Sequence, residues 1–178
     1  YKPEGTAVST AAEFAGMAAD GTYYLAADIT LDATYAANFN GTLDGNGKTL
    51  TVAAPVFAEF NGKLLNLTVK GDIETTDTTN AFVGGIAILA GNTADTSFTN
   101  VNGQVTMTTA VVAQGGFVGV AGKGGAKTTT TFTDCANHGE IVAYFPELSA
   151  NTGNGAGGIL CRADTPATGA ILTFTNCK

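Results

Sequence analysis

The pentapeptide Ser97-Phe98-Thr99-Asn100-Val101 recurs twice further along the chain. Thr131-Phe132-Thr133-Asp134-Cys135 and Thr173-Phe174-Thr175-Asn176-Cys177 keep its order of a hydroxyl, Phe, Thr, an amide or carboxylate, and a small apolar residue. Each copy follows a segment of paired glycines and apolar residues. Similarity at a regular period is typical of proteins built from stacked structural repeats.

The spacing of the motif predicts a β-solenoid. Asn66, Asn100, Asp134 and Asn176 are separated by 34, 34 and 42 residues, and the longer interval contains the loops 146–155 and 164–169. Loops are where a solenoid accommodates insertions. We expect about four turns of three short strands, at 56–60, 63–69 and 71–75; 82–90, 97–101 and 103–108; 116–121, 129–135 and 139–144; and 157–163 and 171–177.

The composition favours an all-β chain and narrows its partners. Thr, Val, Ile and Phe favour strands, while Gly and Asn favour the turns between them. The net charge of −7 argues against nucleic acid, and no apolar run is long enough to insert into a membrane. Residues 1–178 are expected to form a single module, with 1–52 as an N-terminal cap and first strands and 53–178 as the repeats.

The N-terminal part contains the only helical pattern, at 9–18. Ser9 is expected to cap it, Glu13 lies in its first turn, and Asp20-Gly21 is expected to end it, so that it covers the first turn of the solenoid. The chain begins without a signal peptide and stops within its own repeat. We therefore expect a fragment of a longer protein.

Stacked turns about 4.8 Å apart place equivalent side chains above one another. The sequence thus predicts three buried ladders. The first contains Leu64, Phe98, Phe132 and Phe174; the second Leu67, Val101, Cys135 and Cys177; the third Ile73, Val105 and Ile141.

Segments 40–50, 66–73 and 132–141 resemble GLUG-type repeat modules, which occur in large secreted or cell-surface proteins of bacteria. The segment 84–91 departs from the motif by lacking a glycine after its second apolar residue. The resemblance implies a right-handed parallel β-helix at the bacterial cell surface, with further repeats or domains in the same polypeptide. It implies a structural or adhesive role, with glycans or host and cell-surface proteins as partners, and it supplies no catalytic signature.

An alternative is a polysaccharide-binding or pectate-lyase-like module. Such enzymes need paired carboxylates or an acidic calcium site, whereas the carboxylates of this chain are scattered. We predict no enzymatic activity and no cofactor. For carbohydrate binding, Tyr144 and Phe145 at the mouth of a long loop are the best candidates.

The three cysteines suggest two further sites. Cys135, Cys161, Cys177 and His138 together have the donor types of a Cys₃His zinc site, and Cys135 with Cys177 is a candidate disulfide. Both thiols also suit simple stacking in a core ladder, which we favour, so no metal is predicted.

If the Phe residues of the motif point inward, their neighbours point outward. Ser97, Thr99, Thr131, Thr133, Thr173 and Thr175 would then form a flat face of hydroxyl groups, interrupted in the preceding turn by Lys63 and Leu65. Such a face is a candidate ligand surface, and ice binding is a further alternative.

Overall fold

The computed structural model describes residues 2–75, 82–109, 113–123, 127–143, 155–163 and 170–178. They form one helix, α1 (Ala11–Ala15), and nineteen strands. The strands are β1 (Thr6–Val8), β2 (Thr22–Leu25), β3 (Ile29–Leu31), β4 (Tyr35–Phe39), β5 (Thr42–Asp44), β6 (Thr49–Val52), β7 (Phe57–Phe60), β8 (Lys63–Thr75), β9 (Phe82–Gly84), β10 (Ala87–Ala90), β11 (Thr96–Thr109), β12 (Ala113–Gly115), β13 (Val118–Ala121), β14 (Thr129–Thr133), β15 (Ala136–Asn137), β16 (Ile141–Ala143), β17 (Gly155–Gly157), β18 (Leu160–Ala163) and β19 (Ile171–Thr175).

The strands form three sheets, and every strand pair in them is parallel. The largest has the order β1-β2-β5-β8-β11-β14-β19, with β3, β6, β15 and β16 attached beside this path. The second has the order β4-β7-β10-β13-β18, and the third β9-β12-β17. Neighbouring strands thus come from successive segments of the chain, and the expectation of a parallel, almost entirely β structure is confirmed.

Strands from before residue 53 join the same sheets. β8, β11, β14 and β19 supply four levels of the largest sheet, and β1, β2 and β5 add three more below them. Leu43 on β5 pairs with Leu64 on β8 and is fully buried, so the core continues into the N-terminal part.

Several strand boundaries differ from the expected ones. The pairs 63–69 and 71–75, and 97–101 and 103–108, are each one continuous strand, β8 and β11. The expected strand 82–90 is instead divided into β9 and β10. The chain turns sharply there, since a Cβ atom on Gly84 would lie 2.0 Å from the carbonyl oxygen of Ala87; Gly115 and Gly157 are crowded in the same way.

The first ladder has the expected register. Phe98 pairs with Leu64 on one side and Phe132 on the other, and Phe132 pairs with Phe174. The rings of Phe98 and Phe132 stack 4.9 Å apart at 7°, and those of Phe132 and Phe174 stack 4.9 Å apart at 6°. The expected burial of Phe174 is wrong: 49% of it is exposed, because β19 is the last strand of the sheet.

The second ladder places equivalent thiols one level apart. Val101 pairs with Leu67. The Sγ of Cys135 donates to the carbonyl of Phe98 at 3.4 Å, and that of Cys177 donates to the carbonyl of Phe132 at 3.5 Å. Cys135 is buried, whereas Cys177 on the last level is partly exposed.

The third ladder was predicted with the wrong middle residue. Met107 pairs with both Ile73 and Ile141, whereas Val105 pairs with Gly71. Gly71 has φ 138°, and a Cβ atom on it would lie 2.0 Å from the carbonyl oxygen of Val52. The position equivalent to Gly71 is therefore Val105, two residues beyond Gly103. Val105 and Met107 are both buried.

Helix α1 is shorter than the expected 9–18 and begins one residue later. Its N-cap is Thr10 rather than Ser9, and the Glu13 carboxylate accepts hydrogen bonds from the backbone N–H groups of both, at 3.2 and 2.7 Å. The helix ends at Gly16. Phe14 is buried with its ring 5.9 Å from that of Phe57.

Candidate functional site

The most regular surface of the described chain is a face of hydroxyl groups on the largest sheet. We use the name hydroxyl face for Ser97, Thr99, Thr131, Thr133, Thr173 and Thr175. The register aligns Ser97, Thr131 and Thr173 in one column and Thr99, Thr133 and Thr175 in another. The Phe residues between them point into the core, so both columns lie on the outer side of the sheet.

Packing and residue type order these side chains. The four residues on β11 and β14 are partly buried, and the two on β19 are exposed. Five of the six are Thr, whose branched Cβ restricts rotation about χ1. Neighbouring strands lie about 4.8 Å apart. The face therefore presents hydroxyls at a constant spacing along the stack.

The first column extends further than the sequence motif indicated. Ser97 pairs with Lys63 and Thr99 with Leu65, which is the predicted interruption. Below Lys63 the hydroxyls resume, because Thr42 pairs with Lys63 and Thr22 with Thr42. The sequence argument missed these two residues because their strands do not carry the Phe-Thr-Asn motif.

A shallow depression of about 310 Å³ lies beside the start of β11 and β14. It is lined by Lys63, Asp95, Thr96, Ser97, Thr129 and Thr131. Asp95 is held in place there, since its Oδ1 accepts a hydrogen bond from the backbone N–H of Thr129 at 2.7 Å. An ammonium, a carboxylate and hydroxyls in one depression suit a small polar ligand with several hydroxyl groups.

At the other end of the motif, the aligned polar residues form a corner of the chain. We call Asn66, Asn100, Asp134 and Asn176 the amide ladder. All four have positive φ, between 49° and 54°. Asn and Asp tolerate this left-handed region better than other residues with a Cβ atom. The residues that defined the repeat in the sequence are therefore equivalent in the structure.

Hydrogen bonds run along the amide ladder in one direction. The Nδ2 group of Asn66 donates to Asp44 Oδ1 at 3.1 Å, and that of Asn100 donates to Asn66 Oδ1 at 2.9 Å. Likewise, Asn176 Nδ2 donates to Asp134 Oδ1 at 3.0 Å. Each amide thus donates to the level below. A groove of about 460 Å³ beside the ladder is lined by Asn46, Gly47, Asn66 and Asn100.

The cysteines do not converge with other metal-binding side chains. Cys161 lies on β18 in the second sheet, away from the ladder of Cys135 and Cys177. Within the described ranges, no three His, Cys, Asp or Glu side chains are close enough to hold one metal ion. Burial raises the pKa of the Cys135 thiol to about 11, so that this group stays protonated near neutral pH. The three cysteines, all within the described ranges, are free thiols.

The aromatic candidates Tyr144 and Phe145 lie outside the described residues.

No family model, no curated protein and no solved structure matches this chain. Among the described residues, no helix has the length and apolar character needed to cross a bilayer.

Proposed function

We propose that this chain is a non-catalytic structural and adhesive module of a bacterial surface protein, of the GLUG-like type. In this proposal the parallel sheets are the sides of one right-handed parallel β-helix. The observation that carries it is the unbroken register of the repeat, which puts every Phe-Thr-Asn motif directly above the previous one. The constant interval between Asn66, Asn100 and Asp134 supports the same reading.

The physical properties of such a stack suit a stalk. Each level is joined to the next by backbone hydrogen bonds along its strands, and the buried ladders join the levels inside. A stack of this kind extends by about 4.8 Å per level and keeps its outer surface regular. The hydroxyl face is the surface on which we place the adhesive contact.

Adhesion is testable on the chain itself. Beads coated with the protein should bind host epithelial cells or bacterial cells more strongly than beads coated with the Thr131→Lys/Thr133→Lys variant. The matched control is Thr106→Lys/Thr108→Lys, which places the same charges on another part of β11. Equal binding by all three proteins would contradict an adhesive hydroxyl face. Cleavage of any acidic polysaccharide by the purified chain would contradict the non-catalytic assignment.

The depression beside Lys63 and Asp95 favours carbohydrate binding as a second candidate function. Sugars offer the hydroxyl groups that a carboxylate and an ammonium recognise together. A glycan array should then show ligands whose binding is lost in Asp95→Asn and kept in Asp32→Asn, a change of the same kind at another exposed carboxylate. Absence of binding to every glycan would reject this candidate.

The two aligned hydroxyl columns also suit ice binding, our third candidate. A flat array of rigid hydroxyls at constant spacing can match a crystal surface, and the register supplies three consecutive levels of it. Thermal hysteresis or shaping of growing ice crystals would support this candidate, and the absence of both would reject it.

A further inference from the structure

The three most exposed large apolar side chains of the described structure lie at one end of the largest sheet. Phe174 is 49% exposed, Ile171 47% and Val142 43%. The first two belong to β19, the last strand in the sheet order, and Val142 belongs to β16, which pairs on one side with β11. The exposure is therefore a property of this end of the sheet.

The end of the sheet presents a specific pattern. One face of the Phe174 ring stacks on Phe132 at 4.9 Å, and the other face points away from the stack. Asn176 uses its Nδ2 group on Asp134 below it. Its Oδ1 atom is left as an acceptor with no hydrogen-bond partner among the described residues.

The same two contacts occur at the levels below. Phe132 stacks on Phe98, and Asn100 donates its Nδ2 hydrogen to Asn66 Oδ1. In each case the later level brings an aromatic ring and an amide donor to a ring and an acceptor already in place. The end of β19 offers that same ring and acceptor again.

We propose that the free edge of β19 binds a further parallel strand that carries the hydroxyl–Phe–Thr–Asn pattern of this chain. Its Phe ring stacks on Phe174, and its Asn Nδ2 group donates to Asn176 Oδ1. Its hydroxyl residues continue the two columns of the hydroxyl face. Extended segments often bind in this way to an open sheet edge, with backbone hydrogen bonds giving affinity and side-chain contacts giving selectivity.

The direction of the added strand follows from the ladder. In a parallel strand in register, like residues lie opposite one another, as they do between β14 and β19. An antiparallel strand carries its Asn to the opposite end of β19, away from Asn176. The amide contact is therefore available only to a parallel strand.

A synthetic peptide of residues 95–103, Asp-Thr-Ser-Phe-Thr-Asn-Val-Asn-Gly, tests this proposal. Added to the ¹⁵N-labelled chain, it should shift the amide resonances of residues 171–178 and leave those of β1 and β2 unchanged. With a nitroxide at the N-terminus of the peptide, broadening should be stronger at Ile171 than at Thr175. Stronger broadening at Thr175 means antiparallel binding and overturns the proposal.

Two controls make the test specific. The Asn→Asp peptide, which lacks the amide donor, should bind about fivefold more weakly, the loss expected for one hydrogen bond. The Phe174→Ser variant should lose binding, whereas Thr22→Ser, at the far end of the hydroxyl column, should keep it. A scrambled peptide that binds as well as the native sequence overturns the proposal. So does self-association of the chain through antiparallel β19 edges.

Discussion

Asn100 donates its side-chain Nδ2 hydrogen to Asn66 Oδ1 at 2.9 Å, across 34 residues of sequence. Both residues have left-handed backbone conformations, with φ of 54° and 49°. The pair therefore joins two equivalent corners of the chain, one level apart. Because every amide of the ladder donates toward the N-terminal end, the position of the one carboxylate among them has a predictable effect.

Asp134 interrupts the amide ladder, so Asp134→Asn should stabilise the protein. The carboxylate accepts from Asn176 but has no hydrogen to donate toward Asn100. An amide at this position donates to Asn100 Oδ1 and still accepts from Asn176. We expect a gain of about 1 kcal/mol in the free energy of unfolding, measured by urea denaturation. Asp32→Asn is the control for charge alone, and an equal gain there would contradict the ladder explanation.

Asn66 has two separable roles, which Asn66→Gly and Asn66→Ala distinguish. Both substitutions remove its hydrogen bonds to Asp44 and Asn100. Glycine keeps the left-handed conformation at little cost, whereas alanine loses about 1 kcal/mol more in this region. We therefore expect Asn66→Ala to be the less stable variant in thermal and urea denaturation. Equal stabilities would mean that the positive φ contributes nothing.

Phe132 and Phe174 occupy the same position of the repeat at different burial, and their truncation should reflect this. Phe132 is fully buried, so Phe132→Ala should cost about 3–5 kcal/mol. Phe174 is half exposed, and Phe174→Ala should cost about 1.5 kcal/mol or less, since less apolar surface is lost. The two unfolding free energies are compared with that of the unmodified chain. Similar losses would contradict the open end of the stack.

Cys135 should make stability depend on pH in the alkaline range. Burial raises its pKa from 9.0 to about 11 in the folded chain, so above pH 9 the unfolded chain releases this proton first. The stabilising contribution is complete below pH 9 and is lost as the pH rises toward 11. Urea denaturation of the chain and of Cys135→Ala between pH 8 and 11 measures the effect. The chain should lose more stability over this range than the variant, and parallel curves would contradict the assignment.

The repeat predicted the levels that carry the Phe-Thr-Asn motif, because one buried ring and one left-handed corner recur there with little variation. The third ladder failed because Gly71 and Gly103 were taken as equivalent. The constant interval of 34 residues instead pairs Gly71 with Val105 and Ile73 with Met107. Glycine at that corner answers a local backbone contact with Val52, so it does not mark the repeat.

Other differences came from information that the motif does not contain. Thr22 and Thr42 belong to the first hydroxyl column, but their strands pack Tyr23 and Leu43 where the later levels have Phe. The helix start was displaced because Ser9 and Thr10 are both suitable N-caps and both donate to Glu13. The exposure of Phe174 depends on the absence of a described strand above it, which no property of its own segment reveals.

The equal intervals between Asn66, Asn100 and Asp134 also make the levels interchangeable units of length. Removing or duplicating a block of 34 residues between two of these corners rejoins a ladder residue to a ladder residue and a core Phe or Leu to its counterpart. A gene encoding such a chain can change by unequal recombination without creating a new type of contact. The reach of the protein then varies in steps of about 4.8 Å, the distance between neighbouring strands.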